Sequence, residues 1–181
     1  IRDLDPDFFK SKENPKAKPI KGLISFARNI DTSFEEVAKG RYPSNTELCA
    51  KIQSFAKVYQ QTKLERGLAD YDDLLVYWLE VLENNKDASE YYQSRFSYVL
   101  VDEYQDVNSL QARIVDKIAA NHQIMAVGDD AQCIYTWRGA DLDQIMSFPD
   151  RHPGTKIFKI ETNYRSSPEI LELANGILES R

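Results

Sequence analysis

Two adjacent carboxylates, Asp102 and Glu103, follow an apolar run and are well suited to metal or acid–base chemistry. The run covers residues 98–101 (YVLV), whose aromatic and β-branched side chains are typical of a strand buried on both faces. In open α/β sheets, ligands bind at the carboxyl ends of the strands. Adjacent like charges repel each other, and a divalent cation is the usual compensation. The alternative is an exposed acidic turn that binds nothing.

Two later apolar segments also end in polar residues. Residues 123–127 (QIMAV) precede Gly128, Asp129 and Asp130, and residues 156–160 (KIFKI) lead into the polar residues 161–165. We predict that both segments are strands. Because predicted strands alternate with helices in this half, the pattern indicates a parallel, doubly wound sheet.

The elements that position these loops are predicted from capping signals and apolar spacing. Ser33 begins a short helix that ends near Gly40, and residues 45–65 form one long amphipathic helix. Asp70 caps a helix whose next acidic residues, Asp72 and Asp73, suit the positive end of the helix dipole better than a metal site. Further helices are predicted over residues 23–29, 87–94 and 107–120 and from Pro168 onward.

Residues 1–22 carry three prolines and five lysines and are predicted to be irregular. They are either a solvated connector or a basic arm that contacts phosphates. The predicted fold is therefore α/β: a parallel sheet with helices on both faces, preceded by a mainly helical subdomain.

Composition limits the class of protein. The chain has 181 residues, of which 42% are hydrophobic, so it can bury a real core. A net charge of −6 means that any nucleic-acid site must be local. Cys49 and Cys133 lack metal-ligand spacing and suggest a reducing, cytoplasmic setting. No apolar run approaches the ~20 residues that span a bilayer, so no membrane partner is expected.

Three segments at the predicted strand ends carry a resemblance to a known family. VDEYQD (residues 101–106), GDDAQCIYTWRGA (residues 128–140) and ETNYRSS (residues 161–167) closely resemble motifs II, III and IV of the UvrD/Rep family of superfamily 1 DNA helicases. DYDDLL (residues 70–75) and IKGLISFARN (residues 20–29) are also similar to that family. The resemblance implies a partial RecA-like (P-loop NTPase) sheet, with ATP and Mg²⁺ as cofactors.

The resemblance also implies roles around ATP. Asp102 would bind Mg²⁺, and Glu103, in a Walker B-like pair, would be the catalytic base. Gln132 would sense the γ-phosphate through a hydrogen bond that is lost on hydrolysis. Tyr164 would stack on adenine, and Arg165 would reach the γ-phosphate as an arginine finger.

Tyr135, Trp137 and Arg138 would face single-stranded DNA. An indole stacks on any base, so Trp137 would hold DNA without reading its sequence.

Structural alternatives stay open at several of these positions. Tyr164 could pack under the last helix, and Arg165 could be a surface residue near a helix start. Trp137 could be an ordinary core residue, with Arg138 at the edge of that core. Tyr104 and Gln105 fit either a coupling role or a packing role.

The chain lacks the GxxxxGK[ST] loop that cradles phosphates. We therefore expect an internal fragment of a longer helicase. Residues 1–68 would be a helical insertion in the first motor domain. Residues 69–160 would complete part of that RecA-like domain, and residues 161–181 would begin the second motor domain.

The predicted function is that of an ATP-dependent DNA helicase that moves on single-stranded DNA and unwinds duplex DNA at junctions. Two alternatives come from other classes. One is a non-catalytic DNA-binding module that retains helicase motifs. The other is a metal-dependent nuclease that uses Asp102, Glu103 and Asp129.

Overall fold

The computed structural model describes residues 1–119 and 123–179, in which ten α-helices accompany a two-stranded sheet. The helices are α1 (Pro6–Lys10), α2 (Ala17–Asn29), α3 (Phe34–Arg41), α4 (Thr46–Glu65), α5 (Tyr71–Asn84), α6 (Lys86–Arg95), α7 (Ser109–Ile118), α8 (Leu142–Met146), α9 (Phe148–Arg151) and α10 (Pro168–Glu179). The strands are β1 (Val99–Val101) and β2 (Ile124–Ala126).

Helices α1 to α4 enclose a core of their own. Its buried members are Phe9, Ile20, Ile24, Ala38, Cys49, Ile52 and Phe55. The prediction that residues 1–22 are irregular was wrong for residues 6–10 and 17–22, which are helical and bury Phe9 and Ile20, and it holds for residues 11–16. Pro6 and Pro19 lie in the first turns of α1 and α2, where no N–H is needed for intrahelical bonds.

The basic N-terminal segment is tied to the fold rather than extended as an arm. Lys16 Nζ donates to the carbonyl oxygens of Phe9 at 2.8 Å and Ser11 at 2.6 Å. Lys10 pairs with Asp7 at 2.9 Å on the surface. At least these two lysines therefore have partners within the chain.

Three of the predicted helix starts agree with the caps in the structure. Ser33 and Asp70 both form capping boxes, and Asn45 caps α4 by accepting from the Leu48 N–H at 2.9 Å. Asn108 caps α7, which begins later than predicted, and the predicted end of that helix at Ala120 lies outside the described residues.

A buried ion cluster joins α2, α4 and α5. Asp73, which is 1% exposed, accepts from Lys63 Nζ at 2.5 Å and from the Arg28 guanidinium. Asp70 accepts from the same Lys63 at 2.7 Å and from the Tyr59 hydroxyl at 3.0 Å. Asp73 thus neutralises buried cations, a role that the helix dipole alone does not predict.

The pKa values of this cluster follow from its contacts. Burial alone raises the pKa of Asp73, but hydrogen bonds from Lys63, the Asp70 backbone and Arg28 outweigh it and hold that pKa well below its usual range. Burial and the hydrogen bond to Asp70 raise the pKa of Tyr59 to about 12. Asp73 is therefore a carboxylate at neutral pH, whereas Tyr59 keeps its phenol proton and donates it to Asp70.

The two strands run parallel, as predicted, with Leu100 directly opposite Met125. The prediction of helices on both faces was wrong for the described residues. Val99, Val101, Ile124 and Ala126 pack against the helical side, whereas Leu100 is 72% exposed and Met125 is 56% exposed. One face of the sheet is covered and the other is open.

The predicted third strand at residues 156–160 does not form in the described part of the chain. Ile157, Phe158 and Ile160 are between 73% and 86% exposed. A strand needs a neighbour for its backbone groups, and this segment pairs with neither β1 nor β2. Among the helices described, none has the length and apolar character to cross a membrane.

Candidate active site at the strand ends

The loops that follow β1 and β2 are hydrogen-bonded to each other. The Tyr104 N–H donates to the Val127 carbonyl at 2.9 Å, which extends the sheet pairing beyond the strands. The Asp129 N–H donates to the Gln105 side-chain oxygen at 3.0 Å. The polar segments 101–106 and 128–132 therefore converge at the carboxyl edge of the sheet, as predicted.

Asp102 and Glu103 are both exposed at this edge. Asp102 Oδ1 accepts from the Glu103 N–H at 2.9 Å, and Oδ2 has no hydrogen-bond partner among the described residues. Glu103 adopts a left-handed conformation, with φ 52° and ψ 43°. Such a conformation is uncommon for a residue with a Cβ and is concentrated at functional positions.

The donor set at this edge limits the kind of metal site. Among residues 1–119 and 123–179, no three His, Cys, Asp or Glu side chains are grouped to hold an ion. Mg²⁺ usually keeps several waters and binds one or two carboxylates together with substrate phosphates. The free oxygen of Asp102 fits that mode, in which the ion arrives with a nucleotide, and the described residues do not form a cage for a resident metal.

Gln132 lies at the same edge of the sheet, in the second of the two loops that meet there. It ends a short 3₁₀ turn, Asp130–Gln132, and its Nε2 donates to Asp129 Oδ2 at 2.8 Å. Asp129 Oδ1 accepts from the Ala131 N–H at 3.0 Å and so shapes the turn. Asp129 was expected to act only in the nuclease alternative, yet it is the residue that anchors Gln132.

Tyr104 and Gln105 each fitted either a coupling role or a packing role in the sequence. The structure gives them different surroundings. Tyr104 is fully buried, stacks edge-on against Phe148 with ring centroids 5.2 Å apart, and accepts from Arg151 Nη2 at 2.8 Å. Burial raises the pKa of its phenol. Tyr104 therefore packs, whereas Gln105 contacts the candidate site directly, through Glu103 and Asp129.

No sequence pattern separates these two residues. Both follow the acidic pair directly, and a neutral amide gives no charge signal. Only the position of a polar residue close to the acidic pair could have singled out Gln105.

Tyr135, Trp137 and Arg138 form a second group, which we call the aromatic cluster. The Tyr135 and Trp137 ring centroids are 6.4 Å apart, and the Arg138 guanidinium lies 5.3 Å from the Trp137 centroid and 5.8 Å from that of Tyr135. Trp137 is 70% exposed, so the core interpretation of this residue was wrong. The cluster offers an exposed ring beside a cation.

The two residues that follow the aromatic cluster, Gly139 and Ala140, hold it against the rest of the fold. Gly139 has φ +92°, a conformation that favours glycine, and a Cβ there would lie 3.0 Å from Ile30 and 3.1 Å from Asn29 at the end of α2. Ala140 forms an antiparallel bridge with Asn108, the cap of α7. The loop is therefore fixed to both α2 and α7.

Tyr164 and Arg165 are not brought to the strand ends. Tyr164 is 93% exposed, so the alternative that it packs under the last helix was wrong. Arg165 is exposed as well. Asn163 Oδ1 accepts from the Arg165 N–H at 2.8 Å and from the Ser166 N–H at 2.9 Å, which shapes the turn before α10. Among the described residues, no hydrogen bond or ion pair links either side chain to Asp102, Glu103 or Gln132.

Both cysteines are free. Cys133 follows Gln132 directly, and burial, followed by the nearby Asp106 and Asp141 charges, raises the pKa of its thiol. A thiol with a raised pKa is a poor nucleophile, because the reactive form is the thiolate. This residue is therefore not a candidate for covalent chemistry.

Comparison with known proteins gives matches across most of the chain. Residues 2–153 match the family described as UvrD/REP helicase N-terminal domain. The chain is 36% identical over 182 aligned residues to the ATP-dependent DNA helicase PcrA of Bacillus subtilis (strain 168), covering 99% of this chain and 23% of that protein. It is 40% identical over 160 residues to the protein of the same name from Staphylococcus aureus (strain Mu50), covering 88% of this chain and 22% of that protein. The chain thus spans under a quarter of the length of these curated relatives.

Proposed function

Because the chain belongs to the UvrD/REP helicase N-terminal domain family, we propose that it is the part of an ATP-dependent DNA helicase that carries motifs II, III and IV. The whole protein couples ATP hydrolysis to movement on single-stranded DNA and to unwinding at duplex junctions. The observation that carries this proposal is the hydrogen-bonded convergence of Glu103, Gln105, Asp129 and Gln132 at the strand ends.

The proposed domain plan assigns residues 1–68 to a helical insertion and residues 69–160 to the first RecA-like motor domain. Residues 161–181 begin the second motor domain. The separate core of α1 to α4 supports the first assignment. The exposed Leu100 and Met125 support the second, since a RecA-like sheet requires cover on that face from another part of the protein.

Within the site, Asp102 would hold Mg²⁺, and Glu103 is the general base for the attacking water. When bound, the ion would supply neutralisation of phosphate charge, which together with positioning provides most of the catalysis in phosphoryl transfer. Glu103 suits its role because one carboxylate oxygen is held by Gln105, and the other has no hydrogen-bond partner among the described residues. That second oxygen is available to accept a proton from water.

Gln132 reports the γ-phosphate, and Tyr164 and Arg165 approach the nucleotide from the second motor domain. The exposure of Tyr164 and Arg165 is compatible with a site completed by domain closure. Arg165 then supplies a guanidinium fork to the charge that develops on the phosphoryl group.

The aromatic cluster binds single-stranded DNA. Trp137 stacks on a base, and Arg138 adds a positive charge to a chain that is acidic overall. The cluster begins three residues after Gln132, so a change at the nucleotide has a short path to the DNA contact.

The test is made on the full-length protein. The proposal predicts ATPase activity that single-stranded DNA stimulates, and unwinding of a tailed duplex that requires ATP. A non-catalytic module would bind DNA without turnover. A nuclease would cut DNA with Mg²⁺ alone, so incubation without ATP separates that alternative; either of these results would overturn the proposal.

A further inference from the structure

Gln105 is a neutral amide buried between the two strand-end loops. It is 2% exposed and lies in the 3₁₀ turn Tyr104–Asp106. Both ends of its side chain are used: Nε2 donates to Glu103 Oε2 at 2.6 Å, and Oε1 accepts from the Asp129 N–H at 3.0 Å. A buried amide with both ends satisfied has one fixed orientation.

The chemistry of the partners dictates that orientation. A carboxylate only accepts and a backbone N–H only donates, so the NH₂ must face Glu103 and the oxygen must face Asp129. A glutamate at this position could not donate to Glu103, and a lysine could not accept from Asp129. Only a side chain with a donor and an acceptor at this reach joins both loops.

The opposite loop is shaped to receive Gln105. A Cβ at Gly128 would lie 2.7 Å from Gln105 Oε1, 2.7 Å from Ile145 Cδ1 and 3.2 Å from the Gln105 backbone nitrogen. Any other residue here would push aside the ends of the Gln105 and Ile145 side chains and crowd the Gln105 backbone nitrogen. This close packing accompanies the two hydrogen bonds and indicates that the loops fit each other around the Gln105 side chain.

A continuous hydrogen-bonded path follows from these contacts. It runs from Glu103 to the Gln105 amide, on to the Asp129 backbone, and from the Asp129 carboxylate to Gln132 Nε2. We propose that Gln105 is a positioning residue: it holds the Glu103 carboxylate in place and transmits the state of the loop of residues 128–132 to it. The inference rests on the proposed role of Glu103 as the base.

The mechanism needs only a small displacement. When Gln132 leaves Asp129 to contact a γ-phosphate, the Asp129 carboxylate loses a hydrogen-bond partner. The backbone of Asp129 can then shift, and the Asp129 N–H transmits that shift to the Gln105 side chain. Since Gln105 and the uncommon backbone conformation both fix Glu103, the carboxylate responds to the nucleotide without contacting Gln132 itself. The base is thereby aligned when the sensor is engaged.

The test uses two variants in the full-length helicase. Gln105→Met keeps the approximate size and removes both hydrogen bonds. Gln105→Glu keeps the acceptor for Asp129 but replaces the donor to Glu103 with a second carboxylate, which repels it. We expect kcat for DNA-stimulated ATPase to fall about tenfold to hundredfold in both, because a misplaced catalytic group costs rate on that order. The KM for ATP should change less than about twofold. Gln61→Met, an exposed glutamine that donates to Glu65 on α4, is the control and should leave both constants unchanged.

A second comparison separates positioning from general support. In a Glu103→Gln background, Gln105→Met should change the residual turnover less than about twofold, because the group it positions has been removed. Three outcomes would each overturn the inference. The first is an equal loss of turnover from Gln105→Met in both backgrounds, and the second is an unchanged kcat in the Gln105 variants. The third is a loss of cooperative melting together with ATP binding in those variants. If Glu103→Gln by itself retained normal turnover, the proposed base would be wrong, which is a different failure from that of Gln105.

Discussion

Gln132 donates through Nε2 to Asp129 Oδ2 at 2.8 Å, so the amide proposed to sense the γ-phosphate already has a partner within its own loop. The Nε2 group carries a second N–H, but the Gln132 side chain must leave that carboxylate to reach a phosphate oxygen outside its own loop. The strength of this internal bond therefore sets part of the cost of engaging ATP. This relationship leads directly to a prediction about nucleotide affinity.

Asp129→Ser in the full-length protein should tighten binding of a non-hydrolysable ATP analogue about threefold to tenfold. Serine can still cap the turn but is too short to hold Gln132, and one net hydrogen bond is worth about 0.5–1.5 kcal/mol. Isothermal titration measures the change. Asp130→Ser controls for the lost negative charge, and equal tightening in that variant would attribute the effect to charge alone.

Glu103→Gln should lower kcat about 10²- to 10⁴-fold while ATP binding stays within about twofold, because a general base acts in the transition state. Single-turnover phosphate release and analogue titration measure the two quantities. Asp102→Asn should instead weaken binding that depends on Mg²⁺. Glu90→Gln, on exposed α6, is the matched control, and near-normal turnover of Glu103→Gln would disprove the assignment of the base.

Trp137→Ala should weaken single-stranded DNA binding roughly tenfold to a hundredfold, since stacking on an aromatic ring is worth about 1–3 kcal/mol. Because the ring is 70% exposed, the melting temperature should stay within a few degrees of the wild-type value. Fluorescence anisotropy with a labelled oligonucleotide measures the affinity. Tyr71→Ala, at an 89% exposed aromatic outside the cluster, should not change it. Unchanged affinity in the Trp137 variant would exclude the stacking role.

Asp73→Asn should destabilise the chain by about 3–5 kcal/mol, because it leaves Lys63 buried without one of its carboxylate partners. Urea unfolding at pH 7 measures the loss. Asp72→Asn, one residue earlier on α5 and without a side-chain partner among the described residues, should cost under about 0.5 kcal/mol.

The Asp73 carboxylate should also make the free energy of unfolding depend on pH. Its pKa in the folded state lies below its value in the unfolded chain, so its stabilising contribution is complete above about pH 4 to 5 and is lost as pH falls further. The urea midpoint of the wild type should therefore drop on acidification below pH 5. The Asp73→Asn variant should show a smaller drop, and parallel curves would show that other carboxylates dominate.

The 181-residue chain by itself should not hydrolyse ATP measurably, because it contains no GxxxxGK[ST] loop to cradle the phosphates. Steady-state phosphate release on the purified chain tests this. The Glu103→Gln form is the control for contaminating ATPases. DNA-stimulated turnover that this substitution abolished would show that the chain binds phosphate by another route.

Local features of this protein could be predicted from its sequence because they depend on neighbouring residues. Ser33 and Asp70 each cap a helix through a partner three residues along the chain, and the apolar runs at residues 98–101 and 123–127 marked both strands. The family resemblance also rested on short contiguous segments, and the match over residues 2–153 confirmed it.

Burial and long-range pairing were decided only by the tertiary structure. Leu100 and Met125 look like core residues in the sequence, but no helix among the described residues covers their face of the sheet. Residues 156–160 have the composition of a strand and remain unpaired with β1 and β2, because backbone pairing requires a neighbour that composition cannot supply. Gln105 shows the same limit at the site: its burial and its bond to Asp129, 24 residues away along the chain, arise only when two parallel strands bring their ends together.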